Sequence, residues 1–558
     1  TPTDRFTATL AYSYTRVSDS TSNIFSPLEN VNPNPYLIRP GGATRPQQAN
    51  VTAYDFEPIN DARQHEGGLT LELDTDLGKL KSITGYAQVD SRNRLDFDGT
   101  YVPNTIINSA QRERTFQQAL DFTTTKFDIV DLIVGATYFH DRLFFPEPTN
   151  LYVGNASNVA TNPGTTPGNL ATDYTIAQSG YFDQKKTAWA AYFDATVRAT
   201  DKLSINAGGR YSEERQTVAG YQTSPFPASV RNPASAKAKF SRFTPRVSIR
   251  YEVGQRSNVY VSYSQGFRSG AFIGNLPSCV NLIPVADNCY APARQETIEA
   301  WEAGFKTAGR GFRFEFAGFH YDYKGLQVSA TRALVVNGAT FPVVEVGNAP
   351  SAKIYGADGS AEWKPVENLT LRASATWLHA RYGKNFLFSG TGVAATGPGG
   401  GVGINLNADP LKSLLNVSQV QDLSGLQMSR APNFNASAGV EYLIPQGEGG
   451  IRLSLNGKYT SRYVVTNPSI WCQPTAANGN CDGIPADRQR EQRFTEGAFV
   501  MLNASVTWTD PTDRYLVRLW GTNLTDHRYR LHYTGTGTGT YAPAAAPAVY
   551  GITVGAKM

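Results

Sequence analysis

Residues able to do covalent or metal chemistry are few and scattered along the chain. Four cysteines fall in two close pairs, Cys279 with Cys289 and Cys472 with Cys481, each inside a polar segment rich in Pro and Asn. Metal sites favour short C-x2-4-C spacings with histidine nearby, and neither pair has them. Two local disulfides therefore read better than free thiols, and disulfides imply an oxidising compartment. His65-Glu66 lacks the second histidine of a zinc-peptidase helix, and His140, His320, His379, His527 and His532 are dispersed. Only His527 and His532 are close, and on a strand their five-residue separation puts them on opposite faces. Gly390 to Ala395 (GTGVAA) superficially fits a dinucleotide fingerprint, but it runs on into TGPGGG, which cannot open the helix that a pyrophosphate would sit on. Neither a G-x-S-x-G elbow nor a paired-carboxylate site is found. The sequence thus implies no enzyme, no cofactor and no metal.

Residues suited to binding are easier to place. Trp471 lies beside Cys472 and Tyr290 beside Cys289, where a disulfide would hold an exposed ring at little further entropic cost. The competing reading for both is a loop residue packed on its neighbour. Arg210, Arg246, Arg268 and Arg518 fall at inward strand positions, where ion pairing within a lumen competes with contact to a ligand.

The elements that would position these residues follow from composition and period. Of 558 residues only 18% are charged, against roughly 25% in ordinary soluble proteins, while aromatic residues reach 11% with 29 Tyr and 28 Phe. No run of about 18 apolar residues offers a transmembrane helix. The net charge of +4 is spread without a basic block, so no nucleic-acid partner is expected. Apolar and polar residues alternate from end to end, as in Leu203 to Ser212, where Leu203, Ile205, Ala207, Gly209 and Tyr211 form one face and Ser204, Asn206, Gly208, Arg210 and Ser212 the other.

Eighteen such strands can be counted, beginning near Arg5, Glu66, Lys79, Arg114, Ile129, Thr187, Leu203, Lys239, Asn258, Glu296, Phe312, Ala352, Leu369, Pro432, Ile451, Ala498, Tyr515 and Val549. Their connections alternate between short turns, such as Thr75 to Gly78 and Lys364 to Asn368, and segments of about 20 to 50 residues, far beyond the usual 2 to 6. Hairpins with tight turns at one rim and long loops at the other suit an outer-membrane barrel, because backbone groups in hydrocarbon must all be paired. The fold expected is all-β, a transmembrane antiparallel barrel, with residues 1–558 as one barrel domain. A soluble multidomain β-sandwich protein is the competing architecture, but its loops would lack this two-sided asymmetry.

Several stretches resemble the barrel of TonB-dependent outer-membrane receptors. They are Lys81 to Tyr86 (KSITGY), Val259 to Phe272 (VYVSYSQGFRSGAF), Thr297 to Lys306 (TIEAWEAGFK), Asn348 to Gly356 (NAPSAKIYG), Leu519 to Tyr529 (LWGTNLTDHRY) and Val549 to Met558 (VYGITVGAKM). Met558 stands where the family usually ends in an aromatic residue. The family carries an N-terminal TonB-contacting segment and a plug inside 22 strands. The resemblance implies that this chain is that barrel from its fifth strand onward, without the plug and first four strands.

The resemblance implies a cell outer-membrane location, partners in outer-membrane lipid and the TonB complex, the latter through an N-terminal segment outside this chain, and active import of a scarce nutrient. A ferric siderophore is the commonest cargo it implies. Loops poor in charge and rich in Gly, Asn and Thr are compatible with an oligosaccharide or cobalamin, and a passive 18-stranded porin is the alternative. Binding residues would concentrate on the long-loop rim and upper lumen.

Overall fold

The computed structural model describes residues 5–19, 27–29, 57–96, 105–124, 129–154, 174–223, 232–272, 292–336, 339–394, 415–467, 470–472, 487, 489–536 and 539–557. Every regular element among them is a strand. The first half holds β1 (Phe6–Asp19), β2 (Pro27–Glu29), β3 (Ile59–Thr75), β4 (Gly78–Asp96), β5 (Thr105–Thr124), β6 (Val130–Phe144), β7 (Thr149–Gly154), β8 (Tyr174–Arg198), β9 (Leu203–Thr223), β10 (Asn232–Gly254) and β11 (Ser257–Arg268). Then come β12 (Glu296–Gly309), β13 (Phe312–Val336), β14 (Ala339–Val366), β15 (Leu369–Tyr382), β16 (Leu387–Ala394), β17 (Leu415–Asp422), β18 (Phe434–Gln446) and β19 (Gly449–Thr460). The last are β20 (Tyr463–Val464), β21 (Thr495–Glu496), β22 (Phe499–Thr509), β23 (Tyr515–Thr522), β24 (Thr534–Thr536), β25 (Gly539–Tyr541) and β26 (Val549–Ala556).

Nineteen strands form one sheet. Its ladders are antiparallel and run from β1 through β3, β4 and β5, then past β6 to β8 through β15, and on through β18, β19, β22 and β23 to β26. β7 continues the line of β6 between β5 and β8. The break between them is Pro146-Glu147-Pro148, and proline has no N–H for a ladder. Counting β6 and β7 as one interrupted strand, the wall has the eighteen positions read from the sequence.

The short turns read from the sequence lie on one rim, while at the opposite rim β13 passes to β14 across residues 337–338 alone. Gly311, with φ +75° between β12 and β13, sits where an added Cβ would meet the Lys364 carbonyl oxygen at 2.8 Å. In the turn from β22 to β23, Asp510 accepts bonds from the Thr512 hydroxyl (2.5 Å) and the backbone N–H groups of Arg514 (2.7 Å) and Tyr515 (2.6 Å). These donors, Thr512 first, hold its carboxyl down at about 2. The other rim departs from expectation. β13 and β14 stay paired from Phe312↔Trp363 to Val336↔Ala339, and β5, β8, β10 and β14 begin 7 to 13 residues before their alternating stretches. Much of the long-loop sequence is therefore hairpin that projects beyond the membrane, where both faces are wet and alternation has no physical cause.

Large apolar side chains cover the outward face of the wall, and they form two aromatic belts. Phe243 and Tyr251, Tyr355 and Trp363, and Phe434 and Tyr442 are exposed pairs eight residues apart on single strands. Eight residues span about 26 Å along a strand, or about 20 Å after a tilt near 40°, which matches an outer-membrane apolar band bounded by girdles. Among the described residues, β1 is laddered only to β3 and β26 only to β23. Both edges carry apolar side chains bare of protein, Leu10 at 81% and Val554 at 75% exposure.

Candidate functional site

The inward face of the wall is polar because period-2 alternation sends Ser, Asn, Asp, Glu and Arg to the side opposite the belts. Its charges are mostly engaged with one another. Asp194 accepts from Asn206 Nδ2 (2.8 Å) and Arg246 Nε (2.7 Å), and Tyr260 donates to Glu302 (2.6 Å). Glu362 pairs with Arg372 (2.8 Å) and Glu441 with Arg452 (2.6 Å). Between these pairs runs a polar groove flanked by Arg313, Arg372, Ser437, Asn456 and Lys458.

Above the wall, on the rim opposite the short-turn rim, four connections pack into a cap. The hairpin β16–β17 comes from the connection between β15 and β18, and it sets Phe386, Phe388 and Leu423 against Val328 and Ala349 of the β13–β14 hairpin, with Tyr382 and Ile470 completing the apolar cluster. Gly347 is required there, since a Cβ on it would fall 2.0 Å from the Phe388 ring. Gln421 is fully buried, and its carboxamide closes on one peptide: the Ile470 N–H donates to Oε1 (2.9 Å) and Nε2 donates to the Ile470 carbonyl (3.3 Å). Asn467 is also buried, donating to the Gln427 carbonyl (3.0 Å) and accepting from Gln492 Nε2 (3.0 Å).

That clasp positions Trp471. Its N–H donates to the Glu491 carbonyl (3.1 Å), the Cys472 N–H donates to the Gln489 carbonyl (2.9 Å), and Cys472 is disulfide-bonded. The Arg493 guanidinium stands 5.2 Å from the Trp471 ring and 4.9 Å from the Phe494 ring, which in turn stacks on Tyr533 at 5.1 Å. Trp471 is half-buried rather than fully exposed, and it presents a ring with a cation laid against it. His532 sits in the same cap, with Nδ1 3.3 Å from the Thr466 hydroxyl, and burial followed by the nearby Arg430 charge pushes its imidazole below the usual range.

The candidate residues separate by position. Arg210 is on the luminal wall, donating to Thr137 (2.9 Å) and Ser212 (3.0 Å) and lying 5.2 Å over the Tyr192 ring, while Tyr192 donates to Asp121. Arg268 ends β11 at the capped rim, exposed and in register with Glu296, on the same inward parity as Tyr260. Arg518, in register with Thr507 and Thr553, is exposed on the inward face. The structure therefore brings Trp471 into the cap and leaves Arg210 in the wall. Tyr290, Cys279, Cys289 and Cys481 lie outside the described residues; among those described, no cysteine is free. Sequence reading missed Arg493, Gln421 and Asn467, since each meets its partners across 22 to 49 residues of chain and no motif marks them.

Comparison with known proteins bears on the whole wall. The family model for the β-barrel of TonB-dependent receptor-like proteins matches residues 1–524. Among solved structures, the chain is similar to the ferric yersiniabactin uptake receptor FyuA from Yersinia pestis, with TM-score 0.67 and 15% identity over 99% of this chain and 68% of that one. It is similar to the siderophore receptor PiuA from Acinetobacter baumannii (TM-score 0.65, 16% identity, 99% and 71%) and to the copper transporter OprC (TM-score 0.59, 13% identity, 89% and 66%). At such identities these likenesses show the fold alone. Comparison with curated protein sequences finds no match.

Proposed function

We propose a function from the premise that this chain belongs to the TonB-dependent receptor-like β-barrel family. Members of that family are outer-membrane receptors that import solutes actively and are not enzymes. On this premise the chain captures a scarce nutrient at its capped rim, and a ferric siderophore is the cargo we favour, as FyuA is named a ferric yersiniabactin uptake receptor and PiuA a siderophore receptor. The observation that carries capture to a particular place is Trp471 with Arg493 against its ring, since an aromatic face and a cation together suit a flat anionic chelate. Release follows when the TonB complex, drawing on proton-motive force, pulls on a plug and N-terminal segment that this reading adds to the 558 residues.

The reading also adds strands between β26 and β1. Each has a ladder on one side only among the described residues, and bare backbone groups in hydrocarbon cost several kcal/mol each. Uptake of iron-labelled ferric siderophores by intact cells tests the proposal. Uptake that stops when proton-motive force is collapsed, and that weakens in Trp471→Ala, supports it. Uptake that persists after collapse, or residues 1–558 alone conducting ions steadily in a planar bilayer, favours a passive pore instead.

A further inference from the structure

We propose that the outward face of β1 to β10, just beyond the belt nearer the capped rim, docks phosphorylated anionic lipid headgroups of the outer leaflet. The inference goes beyond transport and rests on the reading that the barrel sits in an outer membrane with its capped rim outside. On this face the belt runs through Tyr14, Phe116, Tyr138, Trp189, Tyr211 and Phe243. Two to four residues further along, the outward positions are cationic, and the cations meet each other. Arg16 is in register with Arg63, Arg114 with Arg142, Arg142 with Lys185, and Arg215 with Lys239. Like charges directly opposite one another destabilise a sheet, so four such pairs at one height work against the isolated fold.

The carboxylates in this strip do not balance it. Asp61 is shared by Arg16 (3.2 Å) and Arg63 (3.3 Å), Glu213 is shared by Arg215 (3.0 Å) and Lys239 (2.9 Å), Asp183 takes Arg142 (2.7 Å), and Asp90 takes Arg112. Arg114 and Lys185 have no carboxylate of their own among these pairs. The acids are also sunk beneath the cations: the Glu213 side chain is 9% exposed, against 69% for Arg215 and 56% for Lys239. What meets the outside is positive. Farther round the wall the pattern is ordinary, with Lys353 in register against Asp322.

Height and width fit the partner. Two to four residues beyond the belt is about 7 to 13 Å along a strand, or about 5 to 10 Å above the belt after a tilt near 40°, a height that begins in the polar headgroup layer. The eight wall strands involved span about 34 Å, enough for several headgroups side by side. A phosphate bridging the two cations of a pair converts the repulsion into two charge-assisted hydrogen bonds.

The test uses the protein purified from outer membranes in non-ionic detergent and a triple variant, Arg114→Gln, Arg142→Gln and Lys185→Gln. The probes are bis-phosphorylated lipid A, zwitterionic phosphatidylcholine and free pyrophosphate. Lipid A is expected to raise the Tm of the natural protein in a salt-sensitive manner, whereas phosphatidylcholine should leave it unchanged. The variant should bind lipid A roughly 100-fold more weakly, at about fivefold for each of the three cations removed. In lipid-free detergent the variant should stay folded, since removing two repulsive pairs offsets loss of the Arg142–Asp183 ion pair. The proposal is overturned if the variant binds lipid A within about threefold of the natural protein, or if pyrophosphate stabilises as well as lipid A. A wrong orientation of the barrel would show separately, as protease cutting at the short turns of intact cells.

Discussion

Replacing Gln421 with leucine isolates the clasp that holds the ligand-facing segment of the cap. Both members of the clasp are fully buried, so a leucine at this position would leave the Ile470 N–H and carbonyl without partners and without water. Each orphaned group costs about 1 to 3 kcal/mol, which sums to about 2 to 5 kcal/mol once the easier burial of the leucine side chain is credited. The loss falls on local opening of the cap, because the ladders of the wall share no hydrogen bond with Gln421. Hydrogen exchange should read it directly: amides of Ile470, Trp471 and Cys472 should exchange roughly 30-fold to several thousand-fold faster, at tenfold per 1.4 kcal/mol, while β22 amides keep their protection. An acceleration below about threefold at these three amides, or an equal acceleration in β22, would refute the assignment of Gln421 as a local clasp.

Protease applied to intact cells should cut within residues 16–65 or 384–430 and spare the short turns. Peptide mapping without reductant should find Cys472 paired with Cys481 and Cys279 with Cys289; loss of either bridge should cost about 2 to 4 kcal/mol at most and disturb its loop more than the wall. Asp510 titrates near 2 in the folded turn against 3.8 ordinarily, so its contribution is complete above about pH 4 and disappears as pH falls through 2. Pepsin cleavage beside Tyr515, scaled to an unrelated turn, should therefore rise between pH 4 and pH 2 in the natural protein and stay level in Asp510→Asn. Residues 1–558 expressed alone behind an export signal should aggregate or be degraded, and the native upstream segment should restore a heat-modifiable barrel; a stable barrel from residues 1–558 alone would remove the added strands from the proposed function.

Period-2 alternation is a local property of the chain, and it was enough to determine eighteen wall strands, which face of each meets lipid, and which rim carries the tight turns. Leu203 and Ile205 point outward and Asn206 inward as their sequence dictates, because hydrocarbon lies on one side and water on the other. Only the tertiary structure decided how far strands such as β8 and β14 run, since beyond the membrane both faces are wet and the alternation that marks a strand disappears. It also decided the cap, where Gln421 finds Ile470 49 residues away, and the register that sets Arg142 against Lys185. Those meetings depend on which strands become neighbours and on how the connections above them pack. Side-chain type within a window of about ten residues carries no record of either.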